Sequence, residues 1–298
     1  MSAPEPLIEW PQPILEFLGF VAAFLATGAI GFRLFVLRPW AGGRATADDL
    51  GAVARTAAGR SALLGLIGAI LATVLDLLDV SSEAAEGHAS FGAQLTSSAD
   101  TLIQLGLLLL TVVGFALALS RVRAGWYAAA AGVVLGVFLP AFSGKWLQLV
   151  NPIHMFAAGM WIGTLFQLVV AGILVTLRSG LSPERRGAFV RDLTARFSPL
   201  ALTSAGVLAT FGVITAWRHL KTLPALWTTP YGYALIVKLC LVAGVLALGA
   251  FNFRRQRPLL GTELGARSLR RSATAELTVA VLVLVVTSIL VSLPTPKP

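Results

Sequence analysis

The sequence predicts an all-α polytopic membrane protein, a bundle of eight transmembrane helices with both termini outside. Three observations carry this. Eight apolar stretches are each close to the roughly 20 helical residues that cross a hydrocarbon core of about 30 Å. Only 12% of the residues are charged and 56% are hydrophobic, with a mean hydropathy of +0.81; a soluble chain carries about 25% charged residues. Lys and Arg alternate between rich and poor loops, as orientation by the positive-inside rule requires.

The spans fall at 14–37, 61–79, 101–120, 126–142, 153–177, 199–217, 231–252 and 273–293. The first is read as a retained helix, because Glu5, Glu9 and Glu16 stand where a signal peptide has its basic segment. The loop after it holds four arginines, Arg38, Arg44, Arg55 and Arg60, and the loop at 80–100 holds none. The third loop has Arg121 and Arg123, the fourth only Lys145, the fifth five arginines from Arg178 to Arg196, the sixth Arg218 and Lys221, and the seventh six from Arg254 to Arg271. Odd loops therefore face the cytoplasm. The chain divides into an N-terminal membrane half, 1–142, and a C-terminal half, 143–298. Arg185 to Arg196 read as orienting charge in preference to a short amphipathic surface helix. Trp10, Trp40, Trp126, Trp146, Trp217 and Trp227 fall near span ends, as an interfacial aromatic belt does. Gly132/Gly136 and Gly159/Gly163 are small-xxx-small pairs that let helices approach closely.

The net charge of +9 does not indicate nucleic-acid binding, because the charge lies in short loops between apolar spans. The single cysteine, Cys240, excludes an intrachain disulfide and a multi-thiolate metal site. No phosphate loop, HExxH pair or nucleophile elbow is present, so the chain is not expected to be an enzyme.

Ionisable residues at membrane depth are the candidates for function. Arg33 and Glu276 lie near helix ends and are expected to reach the interface. Lys238 lies seven residues into its span, about 10 Å deep. Asp76, three residues before Asp79 on one helix face, is a candidate partner for it. The three histidines, His88, His154 and His219, all fall on the outer side in this topology. Imidazole suits copper, zinc, iron or nickel, and thioether suits Cu(I). His154 and the adjacent Met155 thus form a candidate soft-cation site. The alternative is a His154 that caps or hydrogen-bonds at an interface beside packing methionines, and the residues alone weigh the two equally.

Residues 151–170 carry His154, Ala157, Ala158, Trp161 and Gly163. Arg196-Phe197-Ser198 with Ala201 and Gly212 follows; then Thr229-Pro230-Tyr231-Gly232 with Lys238, Gly249-Ala250-Phe251-Asn252, and Glu276. In this order, over about 148–280, the chain resembles the copper-resistance D (CopD/PcoD) family. The resemblance implies a multi-pass protein of the cytoplasmic (inner) membrane that moves copper inward from the outer side. It also implies His154 as copper contact, Trp161 and Lys238 as site-shaping neighbours, and a small periplasmic copper-binding protein as partner beside the lipid bilayer. Two positions depart from the family pattern: Lys145 replaces a common histidine and Asn151 a common aspartate, so a cation and an amide stand where ligands are expected. The expectation is copper transport with His154 and Met155 as ligands and His88 and His219 as capture positions. The alternatives are a membrane scaffold or metalloenzyme assembly partner, or a carrier of another small solute.

Overall fold

The computed structural model describes residues 10–38, 49–142, 145–252, 254 and 261–294. Helices account for every extended element among them. In chain order they are α1 (Gln12–Val36, its last turn π-helical), α2 (Asp49–Glu86), α3 (Phe91–Leu95), α4 (Ala99–Leu119) and α5 (Arg123–Phe138). These are followed by α6 (Trp146–Leu177), α7 (Pro183–Leu220), α8 (Ala225–Thr228), α9 (Pro230–Phe251) and α10 (Glu263–Ser292). Seven of them, α1, α2, α4, α6, α7, α9 and α10, are long and apolar enough to cross a membrane. The chain is a multi-pass membrane protein. The expected fourth span is the apolar helix α5, whose 16 residues rise about 24 Å and fall short of a full hydrocarbon core.

Local chemistry sets the helix starts. Ser98, Ser182, Thr229 and Thr262 each accept a backbone N–H three residues on, and proline follows directly in α7 and α9.

Three helices are longer than their apolar cores. α2 and α7 have 38 residues each, about 57 Å, and α10 has 30. The stretch Arg185–Arg196 is not a separate loop or surface helix but the first part of α7. Its Phe189, Val190, Leu193 and Phe197 are buried, as are Val53, Ala54 and Ala57 of α2 and Ala266 and Leu269 of α10. All belong to one apolar cluster with Phe32 and Val36 of α1. Leu50, Val53, Ala54 and Ala57 stand at i, i+3, i+4 and i+7, a helical stripe that extends α2 beyond its hydropathy peak. Arg186 pairs with Glu263 at 3.1 Å and donates to the Ser179 carbonyl at 2.6 Å, tying α7 to α10 at this end.

The core runs through α1 and α6. α6 contains two π-helical turns, Gly159–Gly163 and Leu168–Ile173. Gly163 meets Gly28 of α1 backbone to backbone: a Cβ added at Gly28 would lie 2.7 Å from the Gly163 Cα. Gly159 faces Thr27, where an added Cβ would stand 3.0 Å from the threonine Cβ. The Gly159/Gly163 pair is thus a helix contact, as expected. Of the other pair, Gly132 packs closely on Thr111 and Leu107, whereas a Cβ added at Gly136 would stand 3.9 Å from the Leu107 Cβ, an ordinary contact. α1 also packs against α2, α5 and α10, so helices of both halves share the core.

Trp126 departs from the expected aromatic belt. It is buried, edge-on to Phe115, and the Arg33 guanidinium lies 5.6 Å from its ring centroid. Arg33 therefore meets an aromatic face where an interfacial position was expected. Trp10, Trp146, Trp217 and Trp227 are exposed, as a belt requires, and Trp40 lies outside the described residues.

Gly28→Leu should overpack the α1–α6 contact, at a cost of about 1–3 kcal/mol or more. The expected result is a thermal midpoint several degrees lower for the purified protein. Gly19→Ala, where an added Cβ meets nothing within 4 Å, should leave the midpoint unchanged.

Candidate functional site

Polar groups gather at two levels of the C-terminal helices. At the outer level in the expected topology, the His154 imidazole of α6 lies against α7. Its Nδ1 is 3.1 Å from the Leu208 carbonyl oxygen, and Gly212 provides the space: a Cβ there would stand 3.0 Å from Cε1. A carbonyl only accepts, so the hydrogen bond holds the proton on Nδ1 and leaves the Nε2 lone pair free. Lys238 of α9 is half-buried and near enough for its charge to act on this ring.

Of the other expected ligands, Met155 follows His154 directly in the chain, whereas His88 and His219 lie away from it. Met155 is partly buried and packs on Phe24, Ala158 and Leu284. His219 lies seven residues beyond Gly212 on α7, about 10 Å along the axis. Its Nδ1 pairs with the Thr215 carbonyl at 2.8 Å, and its ring stacks on Tyr231. His88 is exposed, in a left-handed turn (φ 50°) after α2. Among the described residues, no three His, Cys, Asp or Glu side chains group to hold a metal ion. Lys145 and Asn151 are both exposed, and Ser143 and Gly144 lie outside the described residues.

The expected Asp76–Lys238 pair does not form. No ion pair joins them among the described residues, because α2 packs on α1 and α4 whereas α9 packs on α10 and α8. Asp76 instead shares its helix face with Asp79, close enough for the two charges to interact.

The second level is a cavity of about 400 Å³ bounded by α6, α7, α9 and α10. Trp161 stands on its wall seven residues from His154, about 10 Å along α6. Phe197, Ser198 and Ala201 line it from α7, and Gly249, Ala250 and Asn252 from the end of α9. Motifs far apart in the chain thus converge on one space.

Glu276 of α10 faces this cavity and corrects the expectation that it reaches the interface. It is 5% exposed, and Asn252 donates its Nδ2–H to the Glu276 Oε2 at 3.1 Å. Gly249 leaves room for the carboxyl, since a Cβ there would lie 3.3 Å from Oε1. The Asn252 Oδ1 is buried without a hydrogen-bond partner. The sequence signal was present as an acid inside an apolar run; which way it faced depended on α9. Removing one partner leaves the other buried and unsatisfied, at a cost of about 1–3 kcal/mol, whereas replacing both is nearly neutral. Asn252→Leu should therefore lower the thermal midpoint, and Asn252→Leu with Glu276→Leu should recover most of that loss.

Comparison with known proteins bears on these helices. Residues 191–290 match the family described as Copper resistance protein D. The match takes in most of α7 and all of α9, and runs almost to the end of α10; it begins after the α6 segment that carries His154 and Trp161. The chain is also 30% identical over 148 residues to the copper transport protein CutJ of Bacillus subtilis (strain 168). That alignment covers 50% of this chain and a quarter (25%) of the relative. No solved structure matches. Through residues 191–290, whose Phe197, Gly249, Asn252 and Glu276 frame the cavity, the chain is similar to the copper resistance protein D family.

Proposed function

We propose that the protein moves copper across the cytoplasmic membrane, taking it up at an outward-facing site built on His154. The observation that carries this reading is the His154 Nδ1···Leu208 carbonyl contact. Metal-binding histidines are typically held in this way, with one ring nitrogen donating to a carbonyl and the other aimed at the ion. Met155 supplies a soft donor beside it, and His88 and His219 act earlier, as separate capture positions. Trp161 leads from this level to the cavity. The name of the relative agrees with copper as cargo. A small copper-binding protein outside the membrane is the partner that would deliver the ion.

The topology belongs to this proposal. α5 crosses despite its length, with the bilayer thinning locally around it, as short apolar helices allow. Eight crossings then place both termini outside and the basic helix extensions in the cytoplasm.

A second reading rests on Lys238, which has no acidic partner among the described residues and opposes an approaching cation. A half-buried ammonium without an acidic partner among the described residues suits an anionic solute.

His154→Ala should slow copper accumulation in cells or vesicles roughly tenfold or more, since even outer-shell partners of metal ligands are worth about 10–100-fold. Unchanged uptake would remove the proposed role. Lys238→Met should leave copper uptake intact or raise it; anion flux lost in this variant would favour the second reading. For topology, Arg121→Cys and Lys145→Cys in a Cys240→Ser background should label from opposite sides of the membrane. Labelling from one side would show that α5 does not cross.

A further inference from the structure

The charged residues of the cavity wall are two, Glu276 and Arg254, and no ion pair joins them among the described residues. The other side chains facing Glu276 carry no charge. From α6 these are Trp161, Leu165, Leu168 and Ile173; from α7 they include Thr194, Phe197 and Ser198. On α9 they are Leu246 and the Gly249–Ala250 pair, with Asn252 just beyond. Of the two titratable groups on α1 within the described residues, Arg33 is engaged with Trp126 and Glu16 lies near the opposite end.

Among the described residues, the one hydrogen bond to the carboxyl is the Asn252 donor on Oε2. One neutral amide does not offset the cost of an ionised group in an apolar space. Something that enters the cavity must neutralise it. The donors on offer are all oxygens, from the Glu276 carboxyl, the Asn252 amide and the Thr194 and Ser198 hydroxyls, with no thioether or imidazole on the wall. Such a set is hard and poorly matched to a copper ion, which prefers nitrogen and sulfur. A proton needs only one oxygen. The cavity also extends to Arg254, beside the basic loop after α9, so it reaches toward the side opposite His154.

We propose that Glu276 is the proton-exchange site of the transport cycle, taking up and releasing a proton through this cavity as copper passes in the other direction. The inference rests on the copper-transport reading and adds its energy source. In the exchange, one copper ion enters as one proton leaves. The Glu276 carboxyl is neutral when it holds the proton, and its ionised form is present only during cargo passage. Asn252 is a positioning residue, holding the Oε2 side of the carboxyl so that Oε1 faces the cavity.

The test uses the full-length protein in lipid vesicles with copper as the only added metal. Copper entry into wild-type vesicles should expel protons, read as alkalinisation of the lumen with an enclosed pH dye. An imposed difference of one pH unit should change the steady-state copper ratio by up to about tenfold for one proton exchanged. Glu276→Gln, which keeps the shape and a hydrogen-bonding oxygen, should still bind copper through His154 but show neither response. Infrared titration of the purified protein gives a readout that does not depend on transport: the wild type should show a carboxylic-acid carbonyl band that Glu276→Gln lacks.

Copper flux in the wild type with no proton movement, or a Glu276→Gln variant that responds to pH as the wild type does, would overturn the exchange and leave copper transport standing. Absence of the carboxylic-acid band would do the same. No His154-dependent copper flux in the wild type would overturn the transport reading, and the exchange with it.

Discussion

The contact on which the bundle depends is the backbone-to-backbone meeting of α1 and α6 at Gly28 and Gly163. In lipid, apolar side chains gain little by leaving one hydrocarbon surface for another, so close packing must supply the association. Glycine at both positions removes the atoms that would hold the helices apart. The approach buries the middle of α6 and sets where its outer and inner ends project. His154 and Trp161 take their places from that one crossing. The π-helical turn at Gly159–Gly163 sits at the same point, where such turns redirect the side chains that follow.

A second constraint acts at the end carrying the basic loops. There α2, α7 and α10 continue as helices past their most apolar windows and close around Leu193, Phe189 and Ala57. The Arg186–Glu263 pair and the glycine at 187, which lets α7 lie directly on Gly261 and Thr262, hold the ends in register. These extensions anchor the membrane helices that wall the cavity. α7 runs without a break from this cluster past Phe197 and Ser198 to the His154 contact. The cavity and the outer imidazole thus share one structural member.

The two polar levels differ in how visible they were. His154 drew notice because a histidine opening an apolar span is unusual, and its expected position on the outer side came from loop charge. The cavity was not. Its walls are short motifs on four helices, each readable as ordinary packing, and only their convergence gives them a common role. Glu276 shows why. A carboxylate one turn into a span has two outcomes, reaching water or turning inward, and the choice depends on whether a neighbour offers a donor. That donor, Asn252, lies on another helix 24 residues away. Asp76 and Lys238 erred in the opposite direction: similar depth suggested a pair, but their helices pack on different neighbours.

The amino-acid sequence alone determined the all-helical class, the membrane setting, the approximate position of each apolar span and the alternation of loop charge. These follow from local quantities, namely hydropathy over a window, charge per loop and residues at helix starts. Only the tertiary structure decided which helices touch, which polar groups turn inward and how far α2, α7 and α10 extend. Those depend on the identity of the neighbour across the interface: Gly28 against Gly163, Gly212 beside His154, and Asn252 donating to Glu276. A helix carries its own hydrogen bonds within itself and is therefore written locally. A site between helices is a relation among segments, and the chain specifies it only by packing them.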